Sequence, residues 1–239
     1  MKYINKQTKN EPESLLKYRN TEPNSGFDGY DKTDLRKALI EEQGHICAYC
    51  MGEISLDINE NSKPKTEIEH IKPRQKYKDI DKSLELNYFN MVAVCNGLST
   101  SYPEKLECHH CDKTNVGEGK MNGMVDLKKL NPLRKDSSED LVEYNLNGEI
   151  LSKNKNSDVE HDLNVVLNLN NDALKQKRKT RIEVLKEKLK KDKPLQDWNR
   201  DFFDKYIQEY SETNDGKFIP YCMTLIWFLE SLKSKGRYK

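Results

Sequence analysis

The chain has 239 residues, 34% of them charged and only 35% hydrophobic, so it gains little from apolar burial and a metal cross-link would complement its core. Its formal net charge of +1 excludes a uniformly basic surface, and any nucleic-acid contact has to come from local charge asymmetry. No charged-then-apolar leader opens the sequence, and the most apolar run, residues 218–232, holds Pro220 and Glu230 and falls short of the roughly 20 residues that cross a bilayer.

The first thirty residues are polar and carry Pro12, Pro23 and a Gly26…Gly29 turn region. They are expected to form an N-terminal arm (residues 1–34) with one short helix near residues 12–18. Thr33 or Asp34 is placed to cap a helix running to Gln43, with Leu35, Leu39 and Ile40 on one face and Gly44 as its stop. Cys47-Ala-Tyr-Cys50-Met-Gly then turns back on itself, and residues 57–66 form a polar surface loop. Residues 66–71 alternate weakly and end at Pro73, which predicts a short strand. Residues 86–94 are apolar enough to lie buried beside it, and residues 96–107 have the composition of an inserted loop. After Cys108-His-His-Cys111, residues 141–151 alternate around Asn147-Gly148, a two-residue hairpin signal. From Asp158 onward the pattern is helical: Leu174, Ile182, Leu185 and Leu189 form a stripe broken by Pro194, Trp198 to Ile207 form an amphipathic segment, and residues 221–232 the last helix. The fold class is α+β, with a metal-centred core over residues 35–150 and an all-helical region over 151–239.

In a cytoplasmic chain paired thiols are metal ligands before they are disulfides. A Cys-x-x-Cys turn presents two thiolates on one side of a tight loop, a bite that suits tetrahedral zinc. Two such turns occur here, Cys47/Cys50 and Cys108/Cys111. Cys95, at the end of an apolar run, competes for a place, with His109 and His110 as further candidates, and spacing alone favours Cys108. Cys222 lies in the last apolar helix and is expected to be ordinary core.

Between the two turns stands Glu69-His70-Ile-Lys-Pro73. An imidazole titrates near neutrality and can take a proton from water, and a neighbouring carboxylate can hold a divalent cation. Adjacent strand residues point to opposite faces, so the pair meets one substrate only where the strand twists or ends; Pro73 marks an end. Lys72, Arg74, Lys76 and Lys78 follow directly and are candidate phosphate contacts. The ten basic residues from Lys175 to Lys193 fit a solvated helix face as well as a nucleic-acid surface.

The order Cys-x-x-Cys, Glu-His-Ile-x-Pro, Asn90-x-x-x-x-Cys95 and His-Cys111-Asp-Lys resembles the HNH endonuclease family. That resemblance implies a ββα-metal nuclease core, in which a hairpin and a helix grip one catalytic Mg2+ or Mn2+ and a structural Zn2+ ties them together. Carried over by position, it implies His70 as general base, Glu69 as ligand of the catalytic metal and Asn90 as the brace of the loop behind the base. Asp112 stands where the family has His or Asn and would be the second ligand, with Asn115 as the alternative. The resemblance also shifts the zinc set to Cys47, Cys50, Cys95 and Cys111, leaving Cys108 as the alternative. Gln43-Gly-His-Ile-Cys47, Val94-Cys-Asn-Gly97 and Leu167-Asn-Leu-Asn170 resemble a narrower group, the PtuB-type HNH nuclease subunits of Septu and retron-linked anti-phage defence systems. This implies a DNA or RNA substrate and an ABC-type ATPase (PtuA-like) partner. From a different class, a non-catalytic zinc-stabilised adaptor for nucleic acid or protein explains the cysteines but leaves Glu69, His70 and Asn90 as coincidences.

Overall fold

The computed structural model describes residues 1–22, 26–58, 64–97, 108–114 and 124–235. Helix α1 (Glu13–Thr21) packs beside α2 (Thr33–Glu42), which buries Leu35, Leu39 and Ile40. The N-cap position of α2 is Lys32, one residue before the expected Thr33 or Asp34, and its side chain makes no cap bond; the preceding Asp31 instead accepts, through Oδ1, the Thr33 N–H at 3.0 Å and the Thr33 hydroxyl at 2.8 Å. Gly44 ends the helix with φ +59°, a left-handed turn that favours glycine.

Strand β1 (Thr66–His70) pairs antiparallel with β2 (Met91–Cys95), from Thr66 opposite Cys95 to His70 opposite Met91. Short helix α3 (Arg74–Tyr77) follows Pro73. The hairpin is locked to α2 by the buried Gln43 side chain: Nε2 donates to the carbonyls of Ile46 (2.9 Å) and Ala93 (2.8 Å), and Oε1 accepts the Ala93 N–H at 2.7 Å.

A second two-stranded sheet joins β3 (Val142–Tyr144) to β4 (Ile150–Ser152). Its connection is longer than the two residues expected from Asn147-Gly148. The Gly148 N–H bonds the Asn145 carbonyl at 3.0 Å and Gly148 itself has φ +80°, a turn followed by one left-handed residue. Helix α4 (Ser157–His161) runs into a π-helical turn over Asp162–Val166. Helices α5 (Asp172–Asp192), α6 (Arg200–Ser211) and α7 (Cys222–Ser234) complete the chain, α5 and α6 capped by the side chains of Asn171 and Asn199.

The larger core gathers around the first hairpin and the Cys47–Cys50 turn. Residues 1–30, expected as an arm, bury Met1, Ile4, Leu15, Phe27 and Tyr30 in that core. The smaller core lies between the C-terminal half of α5, α6 and α7, where Trp198, Phe203 and Tyr206 pack on Leu185 and Phe228. Arg178, one of the ten basic residues of α5, belongs to no solvated face: it is 1% exposed and donates to the carbonyls of Gly148 (2.7 Å) and Leu169 (2.6 Å). Among the described residues no helix is long and apolar enough to cross a membrane.

Candidate active site and metal centre

The Cys47–Cys50 turn is built by backbone geometry. The Met51 N–H returns to the Cys47 carbonyl at 3.0 Å, and the Cys47 N–H reaches the Gly52 carbonyl at 2.8 Å. The Gly52 N–H points at Cys50 Sγ, 3.4 Å away. Cys95 is delivered by the end of β2. Cys111 is held on the opposite side by its N–H bond to the Leu167 carbonyl (2.8 Å). Gly97 makes this approach possible: its carbonyl accepts the His110 N–H at 2.9 Å, and a Cβ on it would stand 2.0 Å from the His110 carbonyl oxygen.

These elements gather Cys47, Cys50, Cys95 and Cys111 with all four Sγ atoms within 4.8 Å of one another. Cys47 and Cys111 are 3.9 Å apart, Cys50 and Cys95 3.7 Å, and Cys95 and Cys111 3.8 Å. A tetrahedral ion with bonds of about 2.3 Å to sulfur requires edges of about 3.8 Å, so the donor set fits zinc in chemistry and in size. The cluster is the set implied by the family resemblance; Cys108, favoured by spacing alone, is not part of it. Burial, reinforced by Cys47, Cys50 and Cys95, pushes the Cys111 thiol well above its ordinary range, so an ion entering this cluster displaces protons. His110 stands beside it with Nδ1 3.2 Å from Cys111 Sγ, and burial lowers its pKa to about 4, which leaves the ring neutral at neutral pH. His109 and His110 are buried, and neither is a member of the four-residue cluster.

His70 is the last residue of β1. Its Nε2 lies 2.9 Å from the Glu85 carbonyl oxygen, which can only accept, so Nε2 carries the proton and the lone pair of the neutral ring sits on Nδ1. The ring is 5% exposed and meets Phe27 edge-on, centroids 4.8 Å apart. Asn90 fixes the surroundings. Its Oδ1 accepts the Lys72 N–H (2.9 Å), and its Nδ2 donates to the carbonyls of Lys72 (3.1 Å) and Leu84 (3.0 Å). The side chain thereby ties the exit of β1 to the turn that presents the Glu85 carbonyl. Glu85 contributes a second tie: its Oε1 accepts the Phe27 N–H at 3.0 Å and pairs with Arg74 at 3.2 Å.

Alternation along β1 places Glu67 and Glu69 on the face opposite Thr66 and His70, both buried. On that outer face stands Lys113, 3.3 Å from Asp112 Oδ2 and 3.7 Å from Glu67 Oε1. Burial works against its charge, yet Asp112, Glu67 and Glu69 together raise the Lys113 pKa. The buried Tyr49 phenol, pushed up chiefly by burial and next by Glu69 and Asp112, has its hydroxyl 3.5 Å from Glu69 Oε1. Glu69 and Asp112 thus share one neighbourhood of hard oxygen donors, the type that suits Mg2+ or Mn2+. Among the described residues these carboxylates do not close into a three-ligand group; the cysteines alone do. Asn115, the alternative ligand, lies outside the described residues, as does most of the expected loop at 96–107.

Of the four cations after His70, Lys72 and Lys78 are exposed. Arg74 is taken up by Asp28 (3.0 Å) and Glu85 (3.2 Å), and Lys76 by Asp126, so both act inside the fold before they reach any ligand. Sequence reading missed Glu85 and Phe27, which hold the histidine, and Gln43, which locks the hairpin. The turn at Asn96-Gly97 was visible, but the contact that demands glycine there was not. Compared with known proteins, the chain matches no family model, and a search of curated proteins returns no match.

Proposed function

We propose that this chain is a metal-dependent endonuclease of the HNH type that hydrolyses phosphodiester bonds in DNA or RNA, with Zn2+ on the four cysteines as a structural element. One observation carries the reading: a two-stranded hairpin rooted in the cysteine cluster ends at a histidine whose donor nitrogen is engaged by a main-chain carbonyl, with acidic residues on the opposite face of the same strand.

In this reading the Glu85 carbonyl keeps the His70 proton on Nε2, so Nδ1 takes a proton from the attacking water. Asn90 and Phe27 hold the ring in that orientation, Asn90 by fixing the flanking backbone and Phe27 by contact. A hard divalent cation, when bound by Glu69 and Asp112, would supply charge stabilisation for the departing oxygen. Lys113 already pairs with Asp112 and with the neighbouring Glu67, and would release Asp112 for a bound cation. By the narrower resemblance, the nuclease would serve as the effector of a bacterial anti-phage defence complex, restrained or triggered by an ABC-type ATPase.

The test is incubation of the purified chain with supercoiled plasmid and with tRNA, with Mn2+ and with chelator, alone and together with co-purified native neighbours. Metal-dependent breakage is expected. Tight binding without breakage in every arm would overturn the proposal in favour of a zinc-stabilised adaptor.

A further inference from the structure

The cleft that opens beside Ile71 and Lys72, immediately after His70, is walled on its far side by residues 126–137, a segment with no part in the chemistry above. It has a volume of about 580 Å³, and its lining is polar and cationic, with Lys72, Lys128, Lys129 and Arg134 against Asp126 and Asp136.

The two acids are already neutralised. Asp126 is paired with Lys76 and accepts the Tyr77 hydroxyl at 3.1 Å, and Asp136 is paired with Arg134 at 2.9 Å. Lys72, Lys128 and Lys129 are exposed and carry no ion pair among the described residues; the Lys72 ammonium lies over the Tyr77 ring, at 5.5 Å. The cleft therefore presents three uncompensated ammonium groups.

Its far wall is rigid. The fully buried Asp162 carboxylate accepts three consecutive main-chain N–H groups, from Lys128 (2.9 Å), Lys129 (2.8 Å) and Leu130 (2.9 Å). Their backbone is turned inward onto one anion, and the two lysine side chains project outward from a fixed frame. Flexible surface lysines lose entropy on meeting a ligand, and a pinned backbone reduces that cost.

We propose that this cleft is a phosphate-backbone track, in which Lys72, Lys128 and Lys129 hold the phosphates of a nucleic-acid strand next to the bond presented to His70. The inference rests on the nuclease reading and adds to it the substrate's path. Lys128 and Lys129 are binding residues here, remote from the proton transfer.

The experiment measures binding in chelator, where nothing is cut. Fluorescein-labelled DNA duplex and an RNA of the same sequence are titrated with the parent, with Lys128→Ala/Lys129→Ala, and with Lys190→Ala/Lys191→Ala on the exposed end of α5, over a range of salt concentrations. The cleft variant is expected to lower the slope of log affinity against log salt by about 1.8 on duplex DNA, roughly 0.9 per lost phosphate contact, while the α5 variant leaves it unchanged. An unchanged slope in the cleft variant, or an equal fall in both variants, overturns the track. A parent that cleaves the same probes once Mn2+ replaces the chelator, with no slope change in the cleft variant, removes the track and leaves the nuclease standing. A parent that neither binds the probes in chelator nor cleaves them with Mn2+ removes both.

Discussion

Replacing Asn90 with alanine removes three hydrogen bonds at once: the acceptor for the Lys72 N–H and the donor to the Lys72 and Leu84 carbonyls. At about 1 kcal/mol net for each bond the loss is about 3 kcal/mol, and a chain of this size loses roughly 2–4 °C of Tm per kcal/mol, so a fall of roughly 6–12 °C is expected. The catalytic effect should exceed the stability effect. Without Asn90 the Leu84–Glu85 peptide is free to shift, and with it the carbonyl that keeps the His70 proton on Nε2. A misplacement of about 1 Å at a reacting group costs on the order of 100-fold in rate. Asn90→Asp is the sharper probe, since it keeps an acceptor for the Lys72 N–H but turns a second oxygen toward two carbonyls. Thermal melts establish that each variant is folded at the assay temperature, and metal-dependent nicking is then timed. A folded Asn90→Ala that nicks at the parental rate would refute the bracing role.

Cys95→Ser should lose bound zinc and the folded state together, because structural zinc contributes roughly 10–16 kcal/mol, comparable with the whole stability of a domain, whereas Cys108→Ser should keep one zinc per chain by elemental analysis. Gly97→Ala should weaken zinc binding without touching a ligand, since its Cβ would stand 2.0 Å from the His110 carbonyl oxygen; competition with a chromophoric chelator measures this, and parental affinity would count against the close approach. Asp162→Ala leaves three main-chain donors without their buried acceptor and should cost about 3–5 kcal/mol in urea unfolding, with a loss below about 1 kcal/mol telling against the anchor.

Much of this architecture could be read from local signals. The short alternating run before Pro73 became β1, the apolar run ending at Cys95 became β2, and the stripe broken by Pro194 became α5. Each depends on periodicity or punctuation within a few residues, which a single sequence carries. Burial of residues 1–30 was hidden because their apolar residues, Met1, Ile4, Leu15 and Phe27, are too widely spaced to form a pattern. Arg178 looked like one more cation in a Lys-rich helix; only the approach of the β3–β4 turn at Gly148 and of residue 169 supplies the carbonyls that draw it inside. At the site, Cys47, Cys50, Cys95 and Cys111 followed from order and resemblance, while spacing preferred Cys108. The choice is made by Gly97, which lets Cys111 approach the end of β2. Glu85 acts through its main-chain oxygen and could not be read from residue type.

The central claim is that His70, oriented by the Glu85 carbonyl at the end of β1, deprotonates water for phosphodiester cleavage. Its most direct test compares His70→Ala with the parent chain under conditions where the parent cuts with Mn2+, after both are shown to carry equal zinc and to melt alike. Abolished cleavage with fold and metal intact is the predicted result; a His70→Ala chain that cuts as fast as the parent would contradict the account.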